Sequence, residues 1–244
     1  MPTQNVTASL QGRVGLFSFN IGLNGWLSNI RNASTGSTAT TFTTSNSNSQ
    51  AIRASYASGR SGYSGSIYRS FLFFDVSSVP GTITAATLQI YGYSQSTSDA
   101  FIVKSSAWGG NGSTTSMSTD MYNDLDFSSA YSQSSISNWS TSTSSPNQFF
   151  INSAGITDMN NNGYLNVALV NYTNDYSATQ PILNTTVMAG MYQKNTTYPI
   201  RLVITYETGY SDDVIDVVNT NIQNVIDVAS GDIGTVIGVP PPPP

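Results

Sequence analysis

Residues 68–93 read YRSFLFFDVSSVPGTITAATLQIYGY, and they combine a dense apolar run with a strong turn signal. Residues 68–76 are rich in aromatic and branched side chains, a composition that favours a largely buried strand. Residues 77–82 contain a Pro-Gly pair typical of turns, and residues 83–93 resume as a second strand. The stretch therefore predicts a strand, a tight corner and a strand, around which the other strands are arranged.

Two opposite charges, Arg69 and Asp75, lie six positions apart in this first strand. The even spacing places both side chains on one face of the strand, roughly 20 Å apart at about 3.3 Å per residue. They are too far apart to pair, so each needs its own partner, because a buried unpaired charge is costly. For Asp75 we expect backbone N–H groups of the following turn, in the manner of an Asx-turn.

Further strand-like segments precede and follow this stretch. They lie in residues 1–31, 35–50, 51–66, 100–108, 164–171, 187–193 and 198–206. A total of about eight to ten strands fits an antiparallel two-sheet sandwich of the jelly-roll kind. We therefore predict an all-β protein with N-terminal strands over residues 1–48, a jelly-roll sandwich over 49–207 and a tail over 208–244.

The central stretch resembles the DNRLRE-type jelly-roll domain, a relative of carbohydrate-binding modules. In that family an Arg-containing strand ends in Phe-Asp and leads through Ser-Ser and Pro to an Ala-Thr-Leu strand. The matching residues are Arg69, Phe74, Asp75, Ser77, Ser78, Pro80, Ala86, Thr87 and Leu88. The likeness extends through Trp108, residues 149–168 and the final strand YPIRLVITY at 198–206. The resemblance implies a β-sandwich of a kind used by sugar binders, surface proteins and virus particles, and a fold alone does not name a function.

Charge is scarce and unevenly placed along the chain. Charged residues make up 9% of the sequence, and the formal net charge is −5. Six acidic residues follow Tyr206 without a Lys or Arg, which leaves seven acids against eight bases before it. A nearly neutral body offers no basic patch to neutralise phosphates, so we expect no nucleic-acid partner.

The chain contains neither Cys nor His. It therefore lacks thiolate ligands, the commonest general base and the commonest transition-metal ligand. Before Tyr206 the only clustered carboxylates are Asp120, Asp124 and Asp126, three Asp in one polar loop, which make a poor acid/base pair for a hydrolase. We predict a non-enzymatic protein with no catalytic residues, no metal and no cofactor.

Residues 158–164, DMNNNGY, match the first half of a calcium-binding loop. Oxygen side chains at Asp158, Asn160 and Asn162 precede a glycine at the sharp turn. The twelfth position is Leu169, however, which cannot supply the bidentate carboxylate that such a loop requires. We therefore predict a turn between a short helix and a strand rather than a metal site.

The N-terminus lacks a basic segment followed by an apolar one, and no run reaches the roughly 18 apolar residues of a spanning helix. We expect neither a standard secretion signal nor a membrane anchor. A β-protein rich in Ser, Thr and Asn that lacks such a signal is typical of a virion component made in the cytoplasm of its host, and an extracellular location is the alternative.

The longest polar stretch of the body, residues 113–148, contains aromatic residues separated by Asp, and a similar mixture recurs at 172–176. Sugar recognition uses rings against apolar C–H faces and carboxylates against hydroxyls. The predicted ligand-binding residues are Tyr122, Asp124, Asp126, Tyr131, Trp139, Tyr172, Asp175 and Tyr176. The alternative is that these rings anchor the loops to the sandwich. Trp26 poses the same choice between an interface anchor and a core residue.

The tail repeats every 11 residues, as VIDVVNTNIQN from 214, VIDVASGDIGT from 225 and VIGVPPPPP from 236. The apolar positions in register are Val214, Ile215, Val217, Ile222, Val225, Ile226, Val228, Ile233, Val236, Ile237 and Val239. A thin segment cannot bury such a stripe by itself, so we expect it to pack on copies of itself or on another protein. A disordered acidic tail is the alternative, although such segments are poor in Val and Ile. The terminal prolines favour an extended polyproline II rod.

These features together favour a non-enzymatic structural protein of a virus particle, such as a phage head fibre, a capsid decoration or a tail appendage. Its expected partners are copies of itself, with a trimer favoured, other virion proteins, and host or environmental glycans. A secreted or cell-surface carbohydrate-binding module is the main alternative, and a hydrolase with paired carboxylates is a third.

Overall fold

The computed structural model describes residues 1–43, 47–96 and 98–208, with the backbone alone at residues 47–50. In this part the chain folds mainly into antiparallel strands that form two sheets. This confirms the prediction of an all-β protein built from two sheets. The repeat positions of the tail lie outside the described residues.

The described residues contain thirteen strands, more than the eight to ten predicted, partly because the polar stretch 113–148 itself contributes β9. The first seven are β1 Thr3–Thr7, β2 Leu10–Phe19, β3 Thr38–Thr41, β4 Ser47–Gly59, β5 Gly62–Asp75, β6 Thr82–Ile90 and β7 Gly92–Ser96. The others are β8 Phe101–Ser105, β9 Leu125–Ala130, β10 Asn147–Phe150, β11 Tyr164–Val170, β12 Thr185–Gln193 and β13 Arg201–Glu207. One α-helix, α1, spans Ser153–Asn162, and single helical turns lie at Leu27–Arg31, Thr119–Asn123 and Tyr172–Tyr176.

The smaller sheet has four strands in the order β1-β13-β6-β10. The larger sheet has nine strands. Seven of them lie side by side in the order β7-β12-β4-β5-β11-β8-β9, while β2 pairs with β5 and β3 pairs with β2. Strand β5 is central, because it pairs with β2, β4 and β11. The N-terminal residues supply a strand to each sheet, since β1 pairs with β13 and β2 with β5.

The corner after β5 connects the two sheets, because β5 lies in the larger sheet and β6 in the smaller. At this corner Asp75 Oδ1 accepts hydrogen bonds from the backbone N–H of Ser77 at 3.0 Å and from its hydroxyl at 2.6 Å. These bonds lower the pKa of Asp75, the hydroxyl contributing most. The predicted Asx-type hydrogen bond between Asp75 and the following turn is therefore confirmed.

The larger sheet is covered on both faces, which explains why β11 and most of β5 are almost continuously buried. In β5, Leu72 and Phe74 face the smaller sheet and belong to the inter-sheet core. Phe71 and Phe73 point the other way, into a second apolar cluster. That second cluster lies under the three single helical turns and their flanking loops, which we call the outer layer.

Trp26 lies in the outer layer with its side chain fully buried. Its indole N–H donates to the backbone carbonyl of Ser55 at 2.8 Å. Gly65 allows this close packing, because a Cβ there would lie 2.7 Å from the Trp26 ring. Of the two interpretations of Trp26, the structure therefore confirms the core residue.

Candidate functional site

The centre of the outer layer is a buried ion pair between Arg69 of β5 and Asp175. Arg69 Nε and Nη2 donate to the two carboxylate oxygens at 2.8 and 2.7 Å, and both side chains are at most 1% exposed. Burial lowers the pKa of Arg69, but the Asp175 carboxylate outweighs it, so the pKa lies above its ordinary value. Such bidentate pairs combine strength with a fixed geometry.

The remaining Arg69 donors hold the loops of the outer layer in place. Nη1 donates to the Tyr122 carbonyl at 2.7 Å, and Nη2 to the Arg31 carbonyl at 2.8 Å. The guanidinium also lies 4.1 Å from the centre of the Tyr122 ring. One strand residue thus joins all three helical turns, since Asp175 lies in the third.

Four of the eight predicted ligand-binding residues lie in two of the helical turns that Arg69 joins, namely Tyr122, Tyr172, Asp175 and Tyr176. Tyr122 is fully buried, and its hydroxyl donates to the Ile30 carbonyl at 2.6 Å. Asp175 is bound by Arg69. These two side chains therefore anchor the loops to the sandwich, which was the alternative to ligand binding, and they offer little to a ligand.

The rings of Tyr172 and Tyr176 are only half-buried, and they stack with their centres 5.6 Å apart. Phe127 extends this surface, with its centre 6.3 Å from Tyr176. The Arg31 guanidinium lies 3.9 Å from the centre of the Phe127 ring. The two stretches predicted to bind a ligand, 113–148 and 172–176, thus meet at one aromatic surface formed by Phe127, Tyr172 and Tyr176, which we call the aromatic patch.

The other four predicted residues lie elsewhere. Trp139 is fully buried in the inter-sheet core and donates its indole N–H to the Gly190 carbonyl at 3.0 Å. Its ring faces are therefore not available to a sugar, which corrects its assignment as a ligand platform. Tyr131 is 3% exposed and likewise belongs to the inter-sheet core.

Asp126 is exposed, but its carboxylate accepts bonds from the Ser128 N–H and hydroxyl and from the Ser129 hydroxyl. Burial, followed by the charge of Asp120, raises the pKa of Asp124. Asp120 itself is exposed and accepts a bond from Thr35 at 3.3 Å. The three carboxylates of the hydrolase hypothesis thus occupy three different environments.

A polar cleft that the sequence did not reveal surrounds the ion pair of Lys104 and Asp158, whose Nζ and Oδ2 are 2.7 Å apart. The Tyr131 hydroxyl donates a short hydrogen bond to the same Oδ2. Burial opposes ionisation of Asp158, but the bonds from Lys104 and Tyr131 outweigh it and lower its pKa. Burial, with the Asp158 bond, also raises the pKa of Tyr131, which therefore remains a donor.

Two hollows adjoin this ion pair and share Lys104, Tyr131 and Asp158 in their walls. The wider, of about 610 Å³, is lined further by the hydroxyl residues Ser128, Ser129, Ser153 and Thr157. The narrower, of about 200 Å³, is lined further by Ser105, Ser106, Gly110, Asn162, Tyr164, Leu165 and Asn166. We call the two together the Lys104–Asp158 cleft.

The segment 158–164 forms the predicted turn between a helix and a strand. Helix α1 ends at Asn162 and is capped by Gly163, which has φ 73°, and β11 begins at Tyr164. Asn160 binds the backbone of Ile83 through both ends of its amide, while Asp158 pairs with Lys104. Two of the three oxygen side chains of the calcium-like motif, those of Asp158 and Asn160, are thus directed to separate structural partners.

A row of four tyrosines, which the sequence did not reveal, lies beside edge strand β7. Tyr93, Tyr192, Tyr198 and Tyr91 form a continuous row, with successive ring centres 5.5, 4.8 and 5.4 Å apart. Tyr93 is 49% exposed. We call these residues the tyrosine row.

Within residues 1–43, 47–96 and 98–208, no three His, Cys, Asp or Glu side chains are grouped so as to hold a metal ion. The helices of the same residues include none with the length and hydropathy needed to cross a membrane. No protein-family model matches the chain, and no match was found among curated proteins.

Proposed function

We propose that this chain is a non-enzymatic structural protein of a virus particle, a head fibre, capsid decoration or tail appendage. In this proposal its β-sandwich is of the jelly-roll type that resembles the DNRLRE domain. The C-terminal repeat joins copies of the chain, with a trimer favoured, and anchors them to other virion proteins. An adhesive contact with host or environmental glycans belongs to the same proposal.

The observation that supports a structural role most directly is the use of the carboxylates in the sandwich. Asp75 fixes a corner, and Asp175 neutralises Arg69 under the outer layer. Asp99 accepts bonds from Asn171, Tyr172 and Thr173 and so fixes the start of the third helical turn. Carboxylates committed in this way stabilise a scaffold, whereas acid/base catalysis needs a pair free to exchange protons with a substrate.

The repeat of the tail supports assembly. Its Val and Ile positions recur in register over two and a half units, and in a thin segment they need a partner to become buried. We expect deletion of residues 213–244 to leave a folded monomer, while the full chain forms an oligomer. Light scattering on both chains measures this, and equal masses per particle would contradict the role of the tail.

The test of the virion assignment is the location of the native chain. Particles from the organism that makes the protein are separated on a density gradient, and its peptides are quantified in each fraction by mass spectrometry. We expect the chain in the fraction that also contains packaged nucleic acid. Recovery only as free secreted protein or in the cell-wall fraction would overturn the proposal and favour the carbohydrate-binding module.

The aromatic patch favours that second candidate. Phe127, Tyr172 and Tyr176 present half-buried rings beside the Arg31 guanidinium, a combination that can stack on a sugar and donate to its hydroxyls. A cell-surface module would depend on such a platform. Replacement of Tyr176 by Ala should then abolish retention of the chain on its producing cells.

A further inference from the structure

The Lys104–Asp158 cleft contains a buried acceptor that lacks a partner. Asn166 is 4% exposed, and its Nδ2 donates to the carbonyls of Ala107 and Gly110 at 2.6 and 3.0 Å. Its Oδ1 is buried, and among the described residues it accepts no hydrogen bond. Buried polar groups are nearly always bonded, so this oxygen needs a donor that the described residues do not supply, such as a ligand hydroxyl.

The space beside Asn166 is larger than one water molecule needs. The narrow hollow has a volume of about 200 Å³. At about 30 Å³ per water molecule, it holds roughly six. The wide hollow, about 610 Å³, falls within the usual range of ligand pockets. A ligand with several polar groups therefore fits the cleft better than one bound water.

The charges of the cleft disfavour an anionic ligand. Lys104 pairs with Asp158 at 2.7 Å, and Asp126 lies opposite Lys104 on the neighbouring strand and acts on the same ammonium, so an anion gains no free cationic partner at this point. Both groups keep bonding capacity, because an ammonium has three donors and the described bonds to Asp158 use only Oδ2. The pair can therefore donate to one hydroxyl oxygen and accept from another.

An apolar surface completes the cleft. Tyr164 lines the narrow hollow, is only half-buried, and stacks on Phe73 with ring centres 5.2 Å apart. Because Phe73 already holds the Tyr164 ring in place, a ligand loses little free energy in ordering that ring when it binds. Such a ring matches a ligand face made of C–H groups, while hydroxyls at the ligand edge reach Asn166 and Asp158.

We propose that the Lys104–Asp158 cleft is a binding site for a neutral saccharide. One sugar ring occupies the narrow hollow against Tyr164, and one of its hydroxyls donates to Asn166 Oδ1. A second unit extends into the wide hollow, where Ser128, Ser153 and Thr157 supply further hydroxyls. The inference deepens the adhesive part of the proposed function and rests on that part alone.

Saturation-transfer NMR on the full-length chain tests the proposal with D-glucose, D-galactose, D-mannose, N-acetylglucosamine and their β-linked disaccharides. We expect at least one neutral sugar to receive saturation, with little change at high salt, because the sugar itself carries no charge. Glucuronic acid, the anionic counterpart, should bind at least tenfold more weakly.

Three variants locate the site. Tyr164→Ala removes the platform, Asp158→Ala removes an acceptor, and Ser106→Trp fills the narrow hollow from an exposed position. Each should weaken binding at least tenfold. The matched controls are Tyr93→Ala in the tyrosine row and Asp120→Ala, both exposed and outside the cleft, and both should bind as the unchanged chain does.

Circular dichroism confirms that each variant is folded, and Ser106→Trp keeps the test decisive even where Tyr164→Ala is unstable. Binding that survives Ser106→Trp, or the absence of saturation in every neutral sugar, would overturn the site. Neither result bears on the virion assignment, which depends on the density gradient. Conversely, a chain that is not part of a particle could still bind sugar here.

Discussion

The two faces of the larger sheet are sealed in different ways. On one face the smaller sheet covers Leu72 and Phe74. The backbone groups of that smaller sheet are already hydrogen-bonded between its own strands. On the other face the outer layer covers Phe71 and Phe73 with loops and single helical turns. Loops do not satisfy their own backbone groups, so side chains must do so.

The polar groups of the outer layer provide these bonds. Arg69 donates to the carbonyls of Arg31 and Tyr122, Tyr122 donates to Ile30, and Arg31 Nε donates to the Asp175 carbonyl at 2.8 Å. The inter-sheet core is instead dominated by apolar contacts. We infer that the outer layer depends on a few polar side chains and the inter-sheet core on many apolar ones.

The largest expected effect comes from Asp175→Ala, which leaves the Arg69 charge buried without its partner. We expect a loss of about 3–5 kcal/mol in the free energy of unfolding, measured by urea denaturation of the full-length chain. Hydrogen exchange should show the loss mainly in the outer layer, while β6 and β13 stay protected. Equal loss of protection in all strands would mean that the two faces do not differ.

A double variant, Arg69→Met with Asp175→Leu, sharpens this test. It removes both charges and keeps much of their volume, so it should be clearly more stable than Asp175→Ala alone. The control is the exposed Asp120→Ala, for which a change within about 0.5 kcal/mol is expected. A double variant as unstable as the single one would show that packing, rather than charge, dominates at this position.

Leu72→Ala tests the other face of the same strand. Leu72 is fully buried in the inter-sheet core, so its truncation should cost about 2–5 kcal/mol. Because this core joins the two sheets, the loss should appear in the hydrogen exchange of both sheets. Protection lost from the outer layer alone would contradict the distinction between the faces.

Tyr122→Phe removes a single hydroxyl from the outer layer and leaves the buried Ile30 carbonyl without its donor. We expect a loss of about 1–3 kcal/mol. Burial raises the pKa of Tyr122, so the unfolded chain releases this proton first as the pH rises above about 10. The free energy of unfolding of the unchanged protein should therefore fall more steeply with pH in alkali than that of Tyr122→Phe. The same pH dependence in both would contradict a buried, bonded Tyr122 hydroxyl.

The sequence predicted the strands of the centre better than their connections. The apolar runs that became β5, β6, β11 and β13 were evident, because both alternation and β-branched content mark a buried strand. That β5 and β6 belong to different sheets was not evident, since a corner and a hairpin use the same turn residues. Pairing between distant strands has no local signal in a single sequence.

The candidate sites were predicted in part. Loop aromatics between Asp residues indicated both Tyr122 and Trp139, but composition cannot distinguish a ring that faces solvent from one that anchors a loop. The Lys104–Asp158 cleft joins residues 54 positions apart, and the pairing of β8 with β11, the strand that follows α1, brings their elements together. The even spacing of Arg69 and Asp75 did correctly indicate that each has its own partner.

The smallest expected effect concerns the corner at Asp75, which belongs to neither face of the larger sheet. Its carboxylate is exposed and, among the described residues, bonds to Ser77 alone, so water can replace much of what a substitution removes. Asp75→Ala should cost about 0.5–1.5 kcal/mol, whereas Asp75→Asn, which keeps an acceptor, should cost less. Because the Ser77 bonds lower the pKa of Asp75, this stabilisation is present above the ordinary pKa of Asp, about 4, and is lost as the pH falls below it. Urea denaturation at pH 7 and pH 3 should show that the difference in the free energy of unfolding between Asp75→Ala and the unchanged chain is smaller at pH 3. Equal losses for Asp75→Ala and Asp75→Asn at pH 7, or a difference that does not change with pH, would show that the carboxylate does not fix the corner.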